Sequence, residues 1–396
     1  MVFAFLTVFL LVIPVPASAD GPESCPTRGI EAKKIVAESP NFSLSLARLP
    51  TKDQKRTSTC YAYVASDLAD YYLKNSEELG PQSGLEPEVH PLWVAYIETK
   101  LEADRTKNEE DVLLGRGSLT QSLNQLRQMG NCSYAYIESE LKKNKIEATD
   151  LVRLIDRLLE TTRSEAEENE ERRRVRGVAR QLCEQDSIPL SRQAERRVGA
   201  GRLDQFSFEI AIRNFIPKCF SDDAYLSHER MKKLPPHRTF ARSRAPGEYE
   251  RDARARVAKA IELGWPTAIA HCSKFYNAVD EDERVSGPFY NSAGKRLVEP
   301  AKCGAHSASI IGEAWVGGKC QYLVRQSSGN GRTPDRACRC WDKGRTRHDF
   351  CSKFEKDERG DLLGCYLGQD ELIGASSSIT YVVDSKVRAA LESAPK

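Results

Sequence analysis

The chain carries almost no surplus of charge of either sign: 59 Lys and Arg stand against 57 Asp and Glu, a net +2 over 396 residues. A balanced sequence gives no ground for nucleic acid or an anionic membrane surface as partner, because both select a basic excess. Long apolar runs are also lacking. Val2 to Val15 is the one such stretch, and it is short for a bilayer span. No later segment is apolar enough for a transmembrane helix, and no internal repeat is visible. Standard zinc spacing is missing too. Cys338-Arg-Cys340, His348, Cys351 and Cys365 fit no common ligand pattern, so disulfides are expected there rather than metal. No metal or organic cofactor is called for.

What is present begins at the N-terminus. The apolar run is followed by Pro16-Ala17-Ser18-Ala19, a small-residue cleavage pattern, although no Lys or Arg precedes it. Residues 1–19 read as a secretory signal peptide cut before Asp20. The expectation is an exported protein, periplasmic or extracellular, with no integral membrane segment once the signal is removed. Twelve cysteines fit an oxidising compartment. Seven of them follow residue 270, which makes the C-terminal part the more cross-linked. If one is a free nucleophile, an odd number remains, so at least one further thiol is left unpaired.

Composition divides the chain further. Residues 20–50 form an irregular lead-in, and 51–136 a helical region. Residues 137–245 form a Glu- and Arg-rich insertion, and 246–396 a β-rich region. Tyr61, Val64, Ala65, Leu68, Ala69, Tyr72 and Leu73 recur at helical spacing, so a mostly buried helix is expected to begin at Cys60 with Ser58 as a cap. Residues 92–102 and 118–129 read as further helices. Leu151, Leu154, Leu158 and Leu159 keep an apolar stripe within the insertion, which favours helices over disorder there. The Glu and Arg run at 165–176 is a solvated helix face. Arg251 to Leu263 reads as an amphipathic helix. Pro266 to His271, Ser307 to Ile311 and Tyr322 to Arg325 read as short strands between Gly-rich turns.

Chemistry concentrates at Cys60. A cysteine nucleophile works as thiolate, and two devices lower the thiol pKa: a helix N-terminus and a nearby imidazolium. By position Cys60 has the first. The polar segment Asp53 to Thr59 presents the sulfur at a surface. Gln54 and Ser58-Thr59-Cys60-Tyr61-Ala62-Tyr63 resemble the active-site segment of papain-like cysteine peptidases, at the family's Gln-to-Cys interval. Thr57-Ser58-Thr59 stands where the family has Cys-Gly-Ser, so the family's disulfide beside the nucleophile is lost. Gly115-Arg116-Gly117, followed by Leu123, Leu126, Gly130 and Cys132, resembles the Gly-Gly loop and its helix. Leu263 to Ala270 and Ser286-Gly287-Pro288-Phe289-Tyr290 resemble the strand and turn that lead to the catalytic histidine. Cys303-Gly304-Ala305-His306 through Gly312 resembles the segment that delivers it. Tyr322 to Gly329 resembles the last motif, with Gln326 for the family's Asn and Ser328 for its Trp.

The resemblance covers residues 50–140 and 250–385. It implies a papain-like, two-lobed α+β fold, in which a helical lobe and an antiparallel, barrel-like lobe flank a substrate cleft. It assigns Cys60 as nucleophile and His306 as base. Gln54 is then an oxyanion donor alongside the Cys60 N–H, Gln326 orients the imidazole, and Gly117 pairs with the backbone of a peptide or protein substrate. Too few residues precede Cys60 for the family's long inhibitory propeptide, so the insertion is expected to cover or shape the cleft. His271-Cys272 is no dyad, since neighbours on a strand face opposite ways, and reads as structural. Two other readings stand beside the peptidase. One is a catalytically weak or inactive papain-like protein that binds peptides or a partner. The other is an acyl-transferring, transglutaminase-like enzyme, which would need a carboxylate that is not in the expected place.

Overall fold

The computed structural model describes residues 28–29, 49, 52, 54, 59–75, 86–106, 117–149, 151–152, 212–213, 215–222, 225–242, 248–272, 305–316, 319–325, 327, 351–356 and 362–383. The leader at 1–19, the charged run at 165–176, the turn at 286–290, Gln326 and Ser328 lie outside these residues.

Helix α1, Cys60–Asn75, starts at the cysteine as its periodicity requires. The N–H groups of Ala62 and Tyr63 reach the Thr59 carbonyl at 2.9 and 3.4 Å, and the expected cap Ser58 lies outside the described residues. From Tyr61 to Leu73 its apolar side chains are buried on every side. A helix with no solvent face lies in a core. Around it pack α2 (Pro91–Thr106), α3 (Leu119–Met129) and α4 (Tyr134–Lys143). Pro91 occupies a first-turn position, where its missing N–H costs nothing. Cys132, just before α4, is disulfide-bonded to Cys219 in α5 (Lys218–Ser221), and α6 is His228–Met231.

Two acids buried in α1 need partners. Asp67 accepts from Arg325 Nε at 3.1 Å and lies 3.5 Å from Lys52 Nζ. Asp70 accepts from Lys52 Nζ at 2.7 Å and from the N–H groups of Glu88 and Val89, both at 2.9 Å. Arg325 also donates to the Leu49 carbonyl at 3.2 Å. This buried network ties the lead-in and the 86–89 segment to α1. It also ties α1 to the end of the strand that precedes Gln326.

The sheet is antiparallel throughout and runs β2-β8-β3-β4-β5-β7-β6. The strands are β2 (His237–Ala241), β3 (Thr267–Cys272), β4 (Ala305–Val316), β5 (Lys319–Arg325), β6 (Cys351–Lys356), β7 (Leu362–Gly368) and β8 (Ser376–Val382). The two-residue β1, Arg28–Gly29, sits beside β4. Among the described residues β2 and β6 do not pair, so the sheet is open, and the barrel expected from the sequence is corrected to an open sheet. A barrel closes by pairing its edge strands around its own side chains. Here helices cover both faces instead.

Alternation along the strands shows this directly. Ala268, Ile311, Leu323, Tyr366 and Val382 join the core around α1. Their neighbours Ile269, Ile310, Tyr322, Val324, Cys365, Leu367 and Tyr381 join a second core, built with α7 (Glu248–Glu262) and α8 (Gln369–Gly374). Tyr249, Ala253, Val257, Ala260 and Ile261 form the buried stripe of α7. The helix ends at Gly264, whose φ of 76° is a left-handed stop that suits glycine. Tyr71 and Tyr72 of α1 donate to the carbonyls of Gly264 and Pro266 at 2.6 and 3.1 Å, fixing the entry to β3. Strand β2 and helices α5 and α6 fall within the charged segment 137–245. Its Ile137, Leu141, Ile212, Phe215, Met231 and Leu234 belong to the core around α1.

Candidate active site

Three contacts tie segments that carry sequence-predicted residues to α1 or to one another. The first is at the sulfur. Cys60 is a free cysteine, it is 7% exposed, and it occupies the first position of the helix. Ser307, the residue after His306, lies within hydrogen-bonding reach of its sulfur by backbone and hydroxyl, while His306 alternates to the strand face of Ala308 and Ile310. The second contact is at Gln54, which is buried. Its N–H donates to the Ser327 carbonyl at 2.7 Å, and the Ser327 hydroxyl donates to its Oε1. With that oxygen engaged, the donor end of the carboxamide is Nε2. Ser327 directly follows Gln326, which itself lies outside the described residues. The third contact is the Arg325–Asp67 ion pair described above.

Gly117 stands against the same helix turn. A Cβ built there would fall 2.1 Å from a ring carbon of Tyr61, so only a glycine lets the loop lie this close to the residue after Cys60. Glu98 of α2 anchors that loop. Its Oε1 accepts from the Ser118 N–H at 2.9 Å and its Oε2 from the Ser122 hydroxyl at 3.4 Å, both at the start of α3.

Electrostatics at the site run against one sequence expectation. The helix start was expected to lower the Cys60 pKa. Instead, burial pushes the thiol up from its ordinary value, over the opposing pull of hydrogen bonds from Ser307 and from the Tyr61 and Cys60 backbone. Burial also pulls the His306 imidazole down to about 4. Desolvation disfavours both charged forms. At neutral pH the arrangement therefore holds a neutral thiol and a neutral imidazole.

Several site residues escaped the sequence reading. Ser307 and Ser327 had no signal beyond standing next to named residues. Glu98 looked like one charge among many on a helix. His271 was read as structural, yet it pairs directly opposite His306, the two rings 5.4 Å apart. The alternation that separated it from Cys272 also puts it on the His306 face.

Among the described residues no cluster of His, Cys, Asp or Glu is arranged to hold a metal ion, and no helix is long and apolar enough to cross a membrane. Cys320 and Cys365 are disulfide-bonded, which agrees with the expectation of disulfides for Cys365.

No family model matches the chain, and no curated protein matches it. Solved structures to which it is similar include the digestive procathepsin L 3 of Tenebrio molitor larval midgut. That similarity is 10% identity, over 85% of this chain and 67% of the other, with a TM-score of 0.36. PepW from Lactobacillus rhamnosis is similar at 10% identity over 92% of this chain and 87% of the other, with a TM-score of 0.38. The structure itself is a mixed fold of helices and antiparallel sheet, with a free thiol at a helix start docked against the strand that carries His306.

Proposed function

We propose that the chain is a papain-like cysteine peptidase that hydrolyses peptide or protein substrates through Cys60 and His306. The observation that carries this reading is a free thiol at the first turn of α1, where that helix packs against the strand that bears His306. Two segments remote in sequence meet there: the helix that starts at Cys60 and the strand that bears His306. The nucleophile is a free thiol, whereas Cys132, Cys219, Cys320 and Cys365 are disulfide-bonded.

The reaction starts from the neutral pair. As sulfur attacks the carbonyl carbon, the thiol proton passes to the His306 imidazole, so charge separates only when substrate is present. The tetrahedral oxyanion is held by Gln54 Nε2 and the Cys60 N–H. Collapse breaks the C–N bond, and the imidazolium protonates the leaving amine. Water, deprotonated by His306, then hydrolyses the thioester and restores the thiol. Gln326 orients the imidazole, and Gly117 offers backbone to the extended substrate. Every step uses side chains, backbone and water. The disulfides support an exported site of action, since such bonds persist in oxidising compartments.

A second reading is a papain-like protein that binds peptides without cutting them. The buried, neutral Cys60 favours it, as do Gln326 and Ser328 in place of the family's Asn and Trp. Incubation with a diverse peptide library, read by mass spectrometry, separates the two. The peptidase reading expects new peptide termini that vanish with Cys60→Ala and with His306→Ala. Retention of intact peptides without any new termini would establish the binding reading instead.

A further inference from the structure

A base must hold its ring in one orientation through the reaction, and an imidazole on a free χ2 does not. By the resemblance stated above, an amide and an indole do this in the papain family. Here the matching positions are Gln326 and Ser328. A different neighbour is in place. His271 on β3 pairs directly opposite His306 on β4. Opposed residues of an antiparallel pair project from the same face. The two ring centroids are 5.4 Å apart with the planes at 85°, and the residues are 2% and 7% exposed. This is the edge-to-face arrangement that aromatic pairs prefer, and it excludes a face-to-face slip.

We propose that His271 is a positioning residue: its ring, packed edge-to-face from the adjacent strand, fixes the plane of the His306 imidazole and shields it from water. The role in catalysis rests on the peptidase reading; the ring contact does not. The surroundings suit an uncharged brace. Burial, and secondarily repulsion from His306, lower the His271 pKa to about 3.

The groups around the pair carry little competing charge among the described residues. From β4 there is His306 itself. Strand β8 places Ser376 opposite His271, and its Tyr381 lies in the second core. Helix α7 turns Ala253, Val257 and Ile261 into that core. Its Arg254, Arg256 and Lys259 engage Asp370, Tyr381 and Glu262.

The test compares His271→Phe, which keeps an edge and a face but no ring nitrogen, with His271→Leu, which keeps bulk but no ring. Both are apolar and suit the buried site. In the full-length protein, NMR of labelled histidine reads the His306 ring protons, and peptide hydrolysis gives kcat and KM separately. The expected result is a ring-current shift at His306 that persists in the Phe variant and disappears in the Leu variant. Alongside it, kcat should fall roughly tenfold or more in the Leu variant with KM nearly constant, and largely recover in the Phe variant. Unchanged His306 resonances in the Leu variant would overturn the contact. An unchanged kcat in the Leu variant would overturn the positioning role. Absence of hydrolysis by the unaltered protein would instead sink the peptidase reading, and the NMR comparison would then decide the ring contact alone.

Discussion

At the scale of single residues, burial governs Cys60 and His306. An acid whose pKa is raised keeps its proton to higher pH, and a base whose pKa is lowered stays unprotonated to lower pH. Between about 4, where His306 titrates, and the raised value of Cys60, the neutral pair therefore dominates. Iodoacetamide alkylation of Cys60 is expected to accelerate steadily with pH through the neutral range, as thiolate becomes available. A rate that is flat from pH 5 to 8 would show a preformed thiolate–imidazolium pair and contradict this. Sequence made the helix that begins at Cys60 legible, because a polar turn, a cysteine and a helical stripe follow one another from Asp53 to Leu73. It did not reveal the direction of the pKa, because burial is set by packing between segments distant in the chain and outweighs the lowering pull of Ser307. His271 was missed for a related reason: its function depends on the register between two strands, and register is a tertiary quantity.

At the scale of elements, the close approach of the Gly117 loop to α1 sets a strict tolerance. Gly117→Ala forces a methyl into the Tyr61 ring at 2.1 Å, where the first turn of the helix also carries Cys60. The expected cost is about 1–3 kcal/mol in urea unfolding, with lowered peptide hydrolysis. A variant as stable and active as the unaltered protein would remove this loop from the site. Elements with a strong local signal were legible. The periodicity beginning at Cys60 gave α1, and the stripe near Arg251 to Leu263 gave α7 within a few residues. Strand β2 was not, since His237–Ala241 sits in a charged stretch and becomes a strand by pairing with β8, far along the chain. For such a segment, pairing outweighs local propensity. The barrel expectation failed on the same ground. Alternating apolar strands are equally consistent with a closed barrel and with an open sheet covered on both sides, and only the helices α7 and α8 decide between them.

At the scale of the whole molecule, two cores share one sheet, and the site lies where α1 meets β4. Four buried histidines make this assembly sensitive to acid. His90, His237, His271 and His306 all have lowered pKa values, chiefly from burial, with His237 and His271 at about 3. The unfolded chain binds protons at these rings near 6.5, while the folded chain does not. Stability is therefore full above that value and is lost as pH falls toward 3–4. By pH 5 the expected loss is about 2 kcal/mol for each of His237, His271 and His306, read as a lower urea midpoint than at pH 7.5. An unchanged midpoint would mean that these rings are hydrated. The joining of the two distant segments is tested most directly by labelling the full-length protein with a thiol-directed epoxide and mapping the adduct by mass spectrometry. The expected result is one adduct, at Cys60, formed rapidly at neutral pH and lost with His306→Ala. Equal labelling of Cys60 in the His306→Ala protein, or no labelling in the unaltered one, would contradict a thiol and imidazole acting together.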